Sequence, residues 1–232
     1  MKRLFYSRLA AVACAVVALT VASPLYAQSD YSNRMGSSHL TIGPGVAFGA
    51  SMAVDAQEGA KIKPIFAWHA GLDASYPLTP TIGTTLTLGL ESRGTEVHPY
   101  NASEQYIDTR IQYFSITPGF TFSAFYLGVN FALPLSGTYT APSPGGTTDF
   151  SAGDETKMNT LIEPRVGAII PVMDSMIGWL GITLTAGISL DEFMNRGEKP
   201  SGLDSDIWGN YQNMSLYLGT TFQLAIPGTG KK

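Results

Sequence analysis

Residues 215–224 read SLYLGTTFQL, and their side chains alternate. Leu216, Leu218, Thr220, Phe222 and Leu224 share one face, and Ser215, Tyr217, Gly219, Thr221 and Gln223 share the other. A period of two marks a strand with one apolar and one polar face, and such a strand needs something apolar to lie against. The same alternation fills about 40–54, 65–76, 82–93, 110–122, 125–135, 158–170 and 179–190. The stretches between these segments alternate in length. Those around Pro77–Thr81, Ser123–Ala124 and Pro171–Gly178 are short, whereas Asp55–Lys63, Gly94–Thr109, Ser136–Lys157 and Asp191–Asn210 are long and polar. Short turns at one end and long loops at the other belong to a barrel that spans a membrane by strands. A soluble sandwich has no reason to gather every long loop at one end. The expected fold is therefore all-β: an eight-stranded, antiparallel, up-and-down transmembrane β-barrel.

Composition narrows the setting. Lys2, Arg3 and Arg8 precede an almost wholly apolar run from Leu9 to Ala22, and Leu25-Tyr26-Ala27 suits a cleavage site. This predicts a signal peptide over residues 1–27 and a single barrel domain over 28–232. The single cysteine, Cys14, falls inside the leader, so no disulfide is expected to staple the domain. The chain carries 14 Lys+Arg against 18 Asp+Glu, and loss of the leader's cations makes it more acidic still. Phosphate backbones need clustered cations, so nucleic acid is excluded as a partner.

The polar faces carry charges in mid-strand: Asp73, Glu91, Arg93, Glu163 and Arg165. An eight-stranded barrel is only wide enough for side chains to fill it, and a buried unpaired ion is costly. These five residues are expected either to form an internal salt-bridge network that plugs the lumen or to hydrate a narrow one. Neither leaves a wide pore. Phe66 and Trp68 at one end of the second segment and Tyr76 at the other predict an aromatic girdle. Ten residues at ~3.3 Å each, tilted by ~40°, cover roughly the 25 Å between such belts. Pro118, Pro134 and Pro164 fall within expected strands, where bulges or strand ends are anticipated because a closed barrel has no free edge. The fourth strand places Arg110 and Gln112 in phase with Phe114, Ile116 and Phe120, and a bulge near Thr117–Gly119 would repair that phase.

The terminal strand also fits a pattern of polar, glycine and two spaced hydrophobic residues at Tyr217, Gly219, Phe222 and Leu224. This resembles the C-terminal signal of outer-membrane barrels that the barrel assembly machinery reads. The stretches 88–97, 113–122 and 123–137 are similar to strands three to five of the small OmpA/OmpX-like eight-stranded outer-membrane barrels. That resemblance implies a bacterial outer-membrane location, both termini periplasmic, and outer-membrane lipid and lipopolysaccharide as surroundings. It also brings in a lipid-A-modifying enzyme as one alternative, since some such barrels use a His and a Ser near the outer rim. Of His39, His69 and His98, only His98 lies near Ser103 and Glu104, and no G-x-S-x-G or metal-ligand spacing occurs. The expectation is a non-enzymatic structural or surface-interaction protein without cofactor, its long loops free to meet an extracellular ligand. The other alternative is a low-conductance channel for ions or small solutes. The segment 191–210, with Phe193 and Trp208 among five carboxylates, reads first as a solvated acidic loop. Asn101-Ala102-Ser103 is read as a chance glycosylation pattern.

Overall fold

The computed structural model describes residues 39–54, 61–79, 81–98, 106–141, 146–150, 158–175, 177–192 and 211–226. The leader, Ser103 and Glu104, the Asn101–Ser103 pattern and most of the 191–210 loop lie outside these residues. The strands are β1 (Thr41–Val54), β2 (Lys61–Lys63), β3 (Ile65–Pro77), β4 (Ile82–His98), β5 (Ile107–Phe122), β6 (Phe125–Ala141), β7 (Gly146–Phe150), β8 (Leu161–Ser175), β9 (Gly178–Glu192) and β10 (Gln212–Ala225). Eight of them form a ring in the order β4-β3-β1-β10-β9-β8-β6-β5, closed by pairing of β5 with β4. Every pairing is antiparallel, and β10 returns to β1 with Thr41 opposite Ala225 and Val54 opposite Gln212. The chain is a closed eight-stranded up-and-down barrel.

Two strands extend it. β2 resumes the ladder of β3 past Pro64, with Lys63 opposite Glu96. β7 pairs with the far half of β6, Gly137 opposite Phe150, while β8 occupies the near half up to Ala132 opposite Leu161. Both extensions lie in stretches read above as long connections. Their residues (KIK and GTTDF) carry no apolar alternation, so periodicity could not reveal them.

The barrel is inverted relative to a soluble protein. Outward residues are apolar and bare, as with Phe48 at 56%, Phe66 at 58% and Leu218 at 60% exposure, whereas the lumen buries ions. A continuous apolar girdle around a closed barrel is a lipid-facing surface: hydrocarbon cannot solvate backbone groups, and closure leaves none unpaired. The belt has a sharp edge. Leu90 stands opposite Phe114, and past them the outward positions are Ser92, Glu96 and His98 on β4 and Gln112, Arg110 and Asp108 on β5. Strands of 13–17 residues in β3–β6 exceed the ~9–11 that cross a bilayer. The surplus stands on the side of the long connections.

That surplus corrects the expected bulge in the fourth strand. Arg110 and Gln112 share the outward face with Phe114 and Ile116 because they stand above the lipid. The pairing of β5 with β4 runs unbroken through Thr117 opposite Thr87 and Pro118 opposite Leu86. The prolines divide. Pro134 sits at a register shift, between Gln112 opposite Ser136 and Tyr113 opposite Pro134. Pro118 pairs with Leu86 on β4 but falls in a gap of the β5–β6 ladder, between Ile116 opposite Phe131 and Gly119 opposite Gly128. Pro164 faces Val129 on β6, and the β8–β9 ladder begins just after it, at Arg165 opposite Gly187. A proline removes only the one bond its nitrogen would donate, so the ladder on one side runs through it. A further shift lies between Pro171 and Met173, where β8 continues as strand through residues expected to turn. The β5–β6 turn is two residues, with Ser123 at φ 54°, the left-handed backbone that tight hairpins require.

A charge on the belt has no partner. Leu218→Arg, on the outer face opposite Phe48 and Leu184, is expected to cost about 2–4 kcal/mol if Leu218 lies near the bilayer midplane. Reversible urea titration in lipid vesicles gives the value, and a loss below ~1 kcal/mol would place Leu218 near an interface instead.

Candidate functional site

The lumen is organised by the same three-residue motif on two strands: Glu91-Ser92-Arg93 on β4 and Glu163-Pro164-Arg165 on β8. Strand alternation turns the glutamate and arginine of each motif inward and the middle residue outward. β5 and β6 separate β4 from β8 around the ring, so the two motifs meet across the barrel. Arg93 Nη2 donates to Glu91 Oε1 and to Glu163 Oε2, both at 2.6 Å. Arg165 donates from Nη2 to Glu91 Oε2 at 2.6 Å and from Nε to Glu163 Oε2 at 2.7 Å. Each carboxylate thus meets both guanidiniums, and the formal charges cancel.

Neutral groups add hydrogen bonds to the carboxylates, while Arg93 Nε and Nη1 are buried without a hydrogen-bond partner among the described residues. Asn130 Nδ2 donates to Glu91 Oε1 at 3.0 Å and to Glu163 Oε2 at 3.3 Å, and its own carbonyl accepts from Thr117 Oγ1 at 2.8 Å. Ser215 Oγ donates to Glu163 Oε1 at 2.7 Å. The Tyr217 ring lies 5.7 Å from the Arg165 guanidinium carbon, a cation–π contact. Glycine supplies the room: a Cβ at Gly187 would stand 2.5 Å from the Glu163 carboxyl carbon. Glu91, Arg93 and Glu163 are wholly inaccessible, and Arg165 is 6% exposed. Buried Ile111 and Tyr113 are the register partners of Arg93 and Glu91, and Leu161 and Tyr139 are buried toward the long-connection side.

Asp73 does not join the knot. Its carboxylate accepts instead from Thr87 Oγ1 at 2.6 Å and Thr221 Oγ1 at 2.7 Å. The physical reason is position: Asp73 pairs with Thr87, four residues nearer the short turns than Glu91. Between the knot and the short turns lies a cavity of about 80 Å³, whose lining includes His69, Asp73, Thr85, Thr87, Tyr217 and Thr221. Asn130 and Ser215 were missed in the sequence, although both sit at inward positions of their strands. The repeated Glu-x-Arg motif was the available signal for a knot, and Asn130 is the register partner of Glu163.

The remaining expected residues are dispersed. Phe66 and Trp68 face outward, and Phe66 stacks on Phe48 with centroids 6.1 Å apart. Tyr76 stands at the opposite end of β3, paired with Thr84. In the terminal strand Tyr217 is buried in the lumen, Gly219 lies against Ala47, and Phe222 and Leu224 face lipid. His98 is part of a rim cluster above the belt. Its Nε2 lies 2.5 Å from Glu96 Oε1, and Lys63 Nζ donates to the same oxygen at 2.8 Å. Hydrogen bonds from Lys63 and His98 hold the Glu96 carboxyl below its usual pKa.

No family model matches the chain, and no curated protein matches it. Among solved structures, it is similar to Ail, the attachment invasion locus protein of Yersinia pestis, crystallised with the heparin analogue sucrose octasulfate. That likeness has 15% identity and a TM-score of 0.41, over 80% of this chain and 99% of that one. It is similar to Neisserial surface protein A at 10% identity and TM-score 0.36, over 78% and 95% of the two chains. The outer membrane protein OprG of Pseudomonas aeruginosa follows at 10% and 0.30, over 82% and 94%. The fold itself stands on the strand ring and its lipid-facing belt.

Two predictions arise here. Glu163→Gln leaves two buried guanidiniums on one carboxylate, and a loss of about 3–5 kcal/mol is expected in urea unfolding. Adding Arg93→Met restores neutrality, so the double variant should lose less than the sum of the singles; strict additivity would mean that the four groups are not coupled. At the rim, a depressed carboxyl pKa stabilises above the unfolded value, and that contribution is lost as pH falls through the folded value. Amides of Lys61–Lys63 should therefore lose hydrogen-exchange protection, after correction for intrinsic rates, as pH falls into the carboxylate range. Glu96→Gln should abolish that step.

Proposed function

We propose that this protein is a non-enzymatic outer-membrane barrel with a closed lumen, a surface-interaction or structural element whose working part is its long extracellular connections. The Glu91–Arg93–Glu163–Arg165 knot carries the reading. A neutral, fully buried lattice of ions spanning the bore does not yield to passing solute, because opening it strands charges in a low-dielectric wall. Ile111 and Tyr113, the register partners of Arg93 and Glu91, are wholly buried and fill space around the knot. A partner would approach through the connections on the side where the strands outrun the bilayer, and its chemistry is left open.

The second reading is a low-conductance channel. The cavity of about 80 Å³ on the short-turn side of the knot favours it, since that part of the bore is not filled by side chains. Planar-bilayer recording of the refolded barrel separates the two, with folding verified by the mobility difference between unboiled and boiled samples. The wild type is expected to be silent, and Arg93→Ala with Glu163→Ala to open discrete steps. Wild-type steps of regular amplitude would overturn the closed-lumen reading in favour of the channel.

A further inference from the structure

The knot is neutral, but one lumen carboxylate lies outside its balance. Asp73 faces the cavity on the short-turn side, and the ion pairs of the described lumen residues join only Glu91, Glu163, Arg93 and Arg165. We propose that this half of the lumen is a binding site for one monovalent cation, held by the Asp73 carboxylate among threonine hydroxyls.

The carboxylate is prepared for a cation rather than neutralised by the protein. Its hydrogen-bond donors are hydroxyls: Thr87 Oγ1 on Oδ1 and Thr221 Oγ1 on Oδ2. Thr221 is fixed in turn by Gln223, whose Nε2 donates to it at 3.5 Å and whose Oε1 accepts from Thr41 at 2.5 Å. A carboxylate offers about four lone-pair sites, so two hydroxyl donors leave acceptor capacity toward the cavity. Gly45 makes room for the carboxylate, since a Cβ there would lie 2.3 Å from Asp73 Oδ2.

A second observation points into the same space. The hydroxyl of Tyr217, a residue only 2% exposed, has no hydrogen-bond partner among the described residues, and neither do Thr85 Oγ1 and His69 Nε2. All three residues line the cavity. Buried polar atoms of this kind are normally satisfied, and the hydration shell of a bound ion supplies what they lack. Arg165 also lines the cavity, but its charge is taken up by Glu91 and Glu163.

The donor set selects the ion. Hydroxyl and carboxylate oxygens are hard ligands, and a divalent site would gather several carboxylates. Here there is one, which matches a single positive charge. A volume of about 80 Å³ exceeds the ~10–15 Å³ that a cavity needs to hold one water, so an ion can keep part of its shell. The site does not depend on the bore being closed at the knot.

Thallous ion is the probe, read by ²⁰⁵Tl NMR titration of the refolded barrel and by anomalous scattering from soaked crystals. The expected result is one peak beside Asp73, with binding weakened about tenfold or more in Asp73→Asn, or about 1.4 kcal/mol. Thr87→Val and Gly45→Ala retain the carboxylate but disturb its surroundings; each should weaken binding severalfold and keeps the test open if Asp73→Asn does not fold. A cavity without thallous ion, binding unaffected by these variants, or an infrared carbonyl band showing Asp73 protonated at neutral pH would each overturn the proposal.

Discussion

Hydrocarbon offers no hydrogen bonds to a backbone, and the rest of this molecule follows from that constraint. Each strand must be flanked on both sides, so the sheet closes on itself, β10 onto β1. Closure with eight strands leaves a bore only as wide as the side chains that fill it. The apolar residues that would make a core in water are needed outside, against lipid. The interior is then filled by charged and hydroxylated residues, tyrosines included, with a few aliphatic side chains such as Ile111 and Leu161.

Charges confined in that way can persist only in balance. The two Glu-x-Arg motifs meet the requirement because strand alternation aims both members of each pair inward, and three steps around the ring bring the pairs face to face. Isolated ions would be costly at this depth. Two carboxylates shared between two guanidiniums, with Asn130 and Ser215 donating further hydrogen bonds to the carboxylates, form a cross-brace. The cross-brace also fixes what the bore can do, by dividing it into a filled half and a half that retains a cavity.

Much of the barrel was legible as sequence. Alternation is local, and the lipid belt amplifies it, because the outward face of each strand must be apolar for about ten residues. Strand phases in 65–76, 125–135 and 215–224 therefore transfer directly to the structure. The signal failed where the environment changed along a strand. Arg110 and Gln112 looked out of phase because water replaces lipid above Phe114, and β2 and β7 were invisible because three and five residues are too short to display a period. Pro118 and Pro164 mark no register shift, but each is paired on one side only, since a missing donor interrupts one of the two ladders a strand belongs to.

The sequence by itself determined the strand segments, the faces they present, the alternation of short and long connections, and the list of charged side chains turned inward. Those properties depend on the period of an extended chain and on the polarity of each position. Only the tertiary structure decided which charges meet. Glu91 and Glu163 both reach both arginines, whereas Asp73, identical in chemistry and face, is left to threonine hydroxyls nearer the short turns. Pairing across a bore depends on strand register and on position around the ring. Neither is written in any one segment, because both are fixed only when the last strand closes on the first.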